Sequence, residues 1–570
     1  MTDLLELQGP VSKHQSIRMK IATSTWEWGA GSFFTEHIPF SARNGHTFAQ
    51  KLVDTFKLQV ALSSNNHPTY FVYELGGGLG LLSKFFLDIL KRDQPILYEK
   101  TKVIITDNCK NTINRLKKTN TFTTHKKNIN LKIMDAINPI FKKDEKPFFV
   151  YSSHLIDSFK ARQIELNPDS NISEILTKTD INKYASILDT SVYPPKLIDA
   201  DSIKKIMRGS DNKKKLLLAP KLLPYLHKKQ TNVAIGESSE WTEEEKNVLH
   251  DFTKHQSPEQ TTCFNYSLAA TKHISNVLEA LDDNGIYLIT DFGLTKKIGN
   301  ATPKFLVAEY GTAAFYSVCF PLLIHQSQKV KAHCFVTKQQ LDQTQELLIY
   351  KGKKATKIED HFHQNYKNIG YSHLSDTIEA ITKLSPQSSS NYIEEINALI
   401  ATLSKNDRKD YFYLKTIATQ LLSDTSEKKF LAITQDFIEN YEDLAFDAYL
   451  LLGWYHQKNN DHKIAITNFQ NAINICPNSS MSHSAKGLSN LYLNNFKECI
   501  IDMKKAIEFS RSNDIWQTIN AISIALEKMG NITEAQKLFN WALEINKVNP
   551  SLIPLDLIIK FTQKTTKELA

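Results

Sequence analysis

The chain has 570 residues, 41% of them hydrophobic and 23% charged, which is the composition of a folded protein with room for two or three domains. Its 69 Lys and Arg against 61 Asp and Glu leave a net charge of +8, too mild an excess over this length to imply a nucleic-acid partner. Six cysteines that never approach C-x-x-C spacing argue against a zinc ribbon or a redox pair, and no apolar run reaches the about 20 residues a membrane span needs.

Residues 1–44 lack an uninterrupted apolar stretch of the signal type, so the expected compartment is cytoplasmic. They are assigned to an N-terminal segment on the lid or substrate side. From 45 to 330, short β-branched or apolar runs alternate with helical patterns, which predicts an α/β domain with helices on both faces of the sheet. The expected strands are "TYFVYEL" (69–75), "KVIIT" (102–106), "NLKIM" (130–134), "PFFVYS" (147–152) and "GIYLIT" (285–290). The gap between the last two is too long for one crossover and predicts an inserted cap element at about 165–265. Within it the basic run 210–230 lacks interleaved aromatics and reads as solvated surface. Residues 331–374 read as a linker, and "EDHFHQ" (359–364) as a solvated loop rather than half a metal site.

Beyond about 375 the strand pattern stops and the chain reads as helix, which predicts an N-terminal piece separable at that point. Residues 375–445 are expected to form degenerate helical hairpins. In 446–550, Gly453, Ala465, Phe469, Ala472 and Pro477 hold the small, small, aromatic, small and proline places of a tetratricopeptide repeat. Advancing by the 34-residue period reaches Gly487, Cys499, Met503 and Ala506, and a third copy holds Ala535, Phe539 and Ala542. Small residues recur because the two helices of each repeat cross closely. Residues 551–570 are assigned to a C-terminal helix or tail.

The chemistry begins at "ELGGGLG", residues 74–80. No Lys-Ser or Lys-Thr follows at P-loop spacing, and the third place of a G-x-G-x-x-G fingerprint is Leu81. What remains is E-x-G-x-G-x-G after a strand, the form of motif I in class I S-adenosylmethionine-dependent methyltransferases. Gly76, Gly78 and Gly80 let the backbone approach a ligand closely, and the helix that follows offers unpaired N–H groups to the methionine carboxylate. Glu74 is expected on the methionine ammonium side, Asp107 on the ribose hydroxyls and Asp135 on the adenine amino group, each acid standing at the end of its strand.

A narrower resemblance covers about 45–320, which is similar to the MidA-like family of bacterial and mitochondrial methyltransferases. That family carries an EFGPG-x-G loop, an N-E-x-x-D-A-[LF]-P segment after strand four and a later strand ending "iDYG". Here these places hold "ELGGGLG", "SSHLIDSFKARQIEL" (152–166) and "LITDFG", with Asp291, Phe292 and Gly293. The Asn-Glu pair of the family is Ser153-His154 in this chain, and its proline is Lys160. The resemblance implies a Rossmann-like class I methyltransferase sheet, S-adenosyl-L-methionine as cofactor and an arginine on a protein as acceptor, as in the mitochondrial member that acts on a complex I subunit during assembly. It points to Asp157 as the acid that orients the acceptor, with His154 beside it.

Two readings follow. In one the chain is an active methyltransferase acting on a protein, with the repeats recruiting the substrate or an assembly partner. In the other the methyltransferase fold has diverged and the repeat surface acts as a binding scaffold. The cofactor acids favour the first, and the loss of the Asn-Glu pair favours the second. A small-molecule acceptor is a third, less supported alternative.

Overall fold

The computed structural model describes residues 3–28, 32–37, 45–63, 67–235, 240–256, 258–295, 306–338, 344–366, 371–384, 391–403, 408, 410–422, 427–512 and 515–548. The expected tail at 551–570 lies outside them, as do 38–44 of the N-terminal segment.

The strands in chain order are β1 (Leu4–Val11), β2 (Tyr70–Leu75), β3 (Thr101–Asp107), β4 (Ile129–Ile133), β5 (Phe149–Ser153), β6 (Arg162–Leu166), β7 (Ile172–Asn182), β8 (Ser186–Asp189), β9 (Lys196–Asp199), β10 (Leu226–Ala234), β11 (Thr262–Tyr266), β12 (Ile286–Leu294), β13 (Val307–Tyr310), β14 (Ala313–Tyr316), β15 (Val318–Cys319), β16 (His333–Val336) and β17 (Thr344–Tyr350). The main sheet runs β16-β17-β12-β5-β2-β3-β4. From β4 to β12 every pairing is parallel, and β17 lies antiparallel between β12 and β16. The order reverses between β2 and β5, the place where an open α/β sheet holds its ligand at the carboxyl ends of the strands. Because both faces are covered, Val72, Val103, Ile105, Val150, Leu288 and Ile289 are all buried.

Residues 331–374 are not a linker. They supply β16 and β17, whose run "TQELLIY" is apolar enough to be buried beside β12, and then the helix Ala355–Asn365. "EDHFHQ" lies in that helix, and His361 Nε2 bonds Thr55 Oγ1 at 3.0 Å across to the helix His46–Leu62.

Between β5 and β12 the chain builds a second, antiparallel sheet from β6, β7, β10 and β11. The N-terminal strand β1 joins it by pairing with β7, so the start of the chain belongs to the cap rather than standing apart. The basic run of the cap forms the helix Asn212–Leu222, with Lys221 buried and its Nζ donating to Thr190 Oγ1 at 2.6 Å. That ammonium is inside the protein, and burial lowers its pKa to about 7.

The three repeats are the helix pairs 446–458 and 462–475, 480–492 and 496–508, and 516–528 and 532–548. At Gly453 a Cβ would overlap the Phe469 ring, and at Gly487 it would stand 3.0 Å from Met503 Cε, which is why both places hold glycine. The separability expected near residue 375 is absent from the packing. One continuous core joins Phe48, Phe56 and Phe85 of the sheet-covering helices to Ile396, Ile417, Phe437, Tyr441 and Phe469. The Phe85 and Tyr441 rings meet edge to face at 5.6 Å, and Arg115 Nη1 donates to Ile475 O. The far end of the solenoid touches the cap, where Trp541 Nε1 donates to Pro195 O at 2.8 Å and Leu188 enters the core of the last repeats.

Candidate functional site

Leaving β2, the chain turns through three glycines in the left-handed region, Gly76 at φ +70°, Gly78 at +51° and Gly80 at +67°, where a side chain would be strained. The Gly77 N–H donates to Thr106 O at 2.8 Å and the Gly80 N–H to Gly77 O at 2.7 Å, so the loop is fastened to β3 and folded on itself. A Cβ on Gly77 would overlap Ile105 Cγ2, so that glycine exists for close packing on β3. Gly80 caps the helix Leu81–Asp93, whose first N–H groups have no carbonyl within the helix to bond. At Gly78 the nearest neighbour of an added Cβ is Phe34 Cε2 at 3.6 Å, from the N-terminal segment. Phe34 belongs to an aromatic cluster in which Trp26 stacks on Phe33 at 3.6 Å and Phe33 meets Phe315 edge-on at 6.1 Å.

Asp107 ends β3 beside this loop. Its Oδ2 accepts the Gly78 N–H at 3.2 Å and its Oδ1 the Cys109 N–H at 2.8 Å. Burial pushes its pKa up, and the two N–H donors oppose that. Asp135 lies on the surface just past β4 and closes a local turn, accepting from Ile137 N–H at 2.9 Å and Asn138 Nδ2 at 3.2 Å.

Glu74 faces the interior rather than the mouth of the loop. Its carboxyl is buried, takes the Ser83 hydroxyl on Oε2, and stands behind Gly77. Ser83 Oγ in turn meets the Tyr151 hydroxyl at 2.7 Å. Burial pushes the Glu74 pKa up to about 8, against the lowering effect of the Ser83 hydrogen bonds.

At the ends of β5 and β12 three side chains converge. His154 sits at φ +52°, its N–H donating to Thr290 O at 2.9 Å, with its ring 4.8 Å from that of Phe292. Its Nδ1 lies 3.9 Å from Asp157 Oδ2 and 3.9 Å from Asp291 Oδ1. Asp291 collects three backbone donors, the N–H groups of Ile156 and Asp157 on Oδ2 at 2.9 and 3.2 Å and of Phe292 on Oδ1 at 2.9 Å. Asp157, by contrast, has an oxygen, Oδ1, that accepts nothing. Its side chain is 1% exposed against 18% for His154. Burial and the neighbouring Asp291 raise the Asp157 pKa far above the carboxylate range, while burial brings that of Asp291 to about 7. Of this group His154 is the member that reaches solvent.

Asp291 is the site residue absent from the expected set. Its signal was present, since it ends a strand of the sheet just as Asp107 does, but it stands 134 residues from Asp157.

Residues 48–308 match a family described as "Putative S-adenosyl-L-methionine-dependent methyltransferase", and residues 446–479 match a tetratricopeptide repeat. The chain thus pairs an α/β segment that matches this family description with a helical stretch that matches a tetratricopeptide repeat. No curated protein matches the chain. Among solved structures, a Burkholderia thailandensis protein of the COG1565 superfamily bound to S-adenosyl-homocysteine is 12% identical over 70% of this chain and 84% of its own, with a TM-score of 0.38. MamA from Desulfovibrio magneticus RS-1 is 14% identical over 31% of this chain and 97% of its own, with a TM-score of 0.26. MamA AMB-1 is 15% identical over 31% and 98%, with a TM-score of 0.26. Among the described residues no helix is long and apolar enough to cross a membrane.

Proposed function

We propose that the chain transfers a methyl group from S-adenosyl-L-methionine to a protein, with an arginine guanidinium nitrogen as acceptor, as in the MidA-like enzymes it resembles. The observation that carries this reading is the three left-handed glycines at the switch point of a parallel sheet, tied through the Gly78 N–H to the strand-end acid Asp107. Gly76, Gly78 and Gly80 pass the cofactor's amino-acid moiety against the backbone, Asp107 holds the ribose and Asp135 lies on the adenine side. Glu74 shapes the loop from beneath. Bound there, S-adenosyl-L-methionine would supply the methyl group, the electron pair of the broken carbon–sulfur bond staying on sulfur as S-adenosylhomocysteine leaves, and the His154 imidazole would take the proton that the guanidinium nitrogen gives up as it is methylated. His154 is the group facing the acceptor, with Asp157 and Asp291 placing it from behind.

The repeats are the surface for the protein partner, in keeping with what such solenoids do. Calorimetric titration with S-adenosyl-L-methionine tests the cofactor half of the proposal. Asp107→Ala is expected to lower affinity at least tenfold, on the order of 1.5 to 3 kcal/mol for a charged hydrogen-bond acceptor. Mass spectrometry of a knockout proteome, searching for lost arginine methylation, tests the acceptor half. Cofactor binding with no methylated protein lost would leave the scaffold reading in place of catalysis.

A further inference from the structure

His154, Asp157 and Asp291 were expected to serve the acceptor or left out of account, yet their arrangement poses a separate question. Two carboxyls and an imidazole offer one donor atom each, and these atoms all lie within 4.8 Å of one another. Burying two carboxyls side by side is unfavourable unless a cation or a proton neutralises one of them. In this site backbone N–H groups serve Asp291 alone, and the 1% exposed Asp157 keeps an oxygen that bonds nothing. Neither lysine nor arginine enters an ion pair with either acid among the described residues.

We propose that His154, Asp157 and Asp291 bind a divalent transition-metal cation, of which Zn2+ is the type case. Two donors each about 2.1 Å from one ion stand no more than about 4.2 Å apart, so the 3.9 Å separations from His154 Nδ1 to both acids admit an ion with little movement. The donor set is an imidazole and two carboxylates, which suits zinc, and the two negative charges match the charge of the ion. The ion neutralises the two acids through Asp157 Oδ2 and Asp291 Oδ1, the oxygens 3.9 Å from the imidazole Nδ1. The left-handed backbone at His154 holds the imidazole over the two acids, and this residue's partial exposure leaves a route for the ion to enter.

The site is independent of the cofactor reading, because none of its three residues lies in the glycine loop or at Asp107. The experiment separates the two by titrating chelator-stripped full-length protein with Zn2+ alone and, in a second series, with S-adenosyl-L-methionine alone. The expected result is one tightly held Zn2+ per chain, with affinity reduced at least roughly tenfold in His154→Ala and further in Asp157→Asn. His363→Ala, an exposed histidine elsewhere, is expected to change nothing. Co2+ substitution supplies a second readout, a visible d–d spectrum that disappears in His154→Ala. Asp157→Asn keeps a donor for Asp291, and should it nevertheless fail to fold, His154→Ala decides. Absence of a stoichiometric Zn2+ site, or zinc affinity and cobalt spectrum unchanged in His154→Ala, overturns the proposal, whatever S-adenosyl-L-methionine does in its own series.

Discussion

Glu74→Gln distinguishes a buried structural acid from a ligand-facing one. The wild-type carboxyl ionises in the unfolded chain near 4.5 but only near 8 in the folded one, because burial dominates over the Ser83 hydrogen bond. A folded pKa raised above the unfolded value means stability that is complete below about pH 4.5 and is lost as pH rises through about 8. The slope approaches about 1.4 kcal/mol per pH unit, so from about pH 5 to 8 the wild type should lose on the order of 3 kcal/mol through this group. Gln keeps an acceptor for the Ser83 hydroxyl and does not titrate. Its extra N–H2 group shifts stability by an amount that does not vary with pH. Urea unfolding of both chains across that range measures the difference, and all other acids, Asp291 among them, cancel in the comparison. The expected outcome is a variant that gains on the wild type steadily as pH rises, while its affinity for S-adenosyl-L-methionine changes by less than about threefold. Parallel pH curves, or a variant that keeps the wild-type pH dependence and loses the cofactor, would refute the assignment of Glu74 to the interior.

Two further outcomes are expected. A chain ending at residue 374 removes Ile396, Ile417, Phe437 and Tyr441 from the core they share with Phe85, uncovering apolar surface on the order of 10 kcal/mol, comparable to the whole stability of a domain; light scattering and hydrogen exchange should show an aggregating, loosened piece, and a monodisperse, protected one would show that the shared core is dispensable. Gly77→Ala should lower both thermal stability and cofactor affinity by pressing on Ile105 Cγ2, and Ile105→Ala in the same chain should restore part of both losses, since the obstruction is that one side chain; no rescue would place the fault in the turn itself.

The local pattern of the chain determined its strands, its glycine loop and its repeats. "FVYEL" before four glycines, "VIITD" and the 34-residue recurrence of small residues each act through neighbours in sequence or through a fixed period, so they can be read without knowing the fold. Asp107 belongs with them, because the end of a strand beside the switch point is a topological address. Tertiary structure alone decided which way the acids face. Glu74 and Asp107 both end parallel neighbours, but Ser83 and Tyr151 enclose the first while backbone N–H groups meet the second at the loop. It also decided that Asp157 stands against Asp291, two residues 134 apart whose meeting depends on the whole insertion folding back to return β12 beside β5. The assignment of 331–374 failed for a similar reason: a buried antiparallel strand such as "TQELLIY" is too short to announce its partner, and only pairing with β12 makes it part of the sheet. The solenoid's helices were legible from their period, whereas its union with the α/β core was not, because an apolar helix face does not specify what covers it.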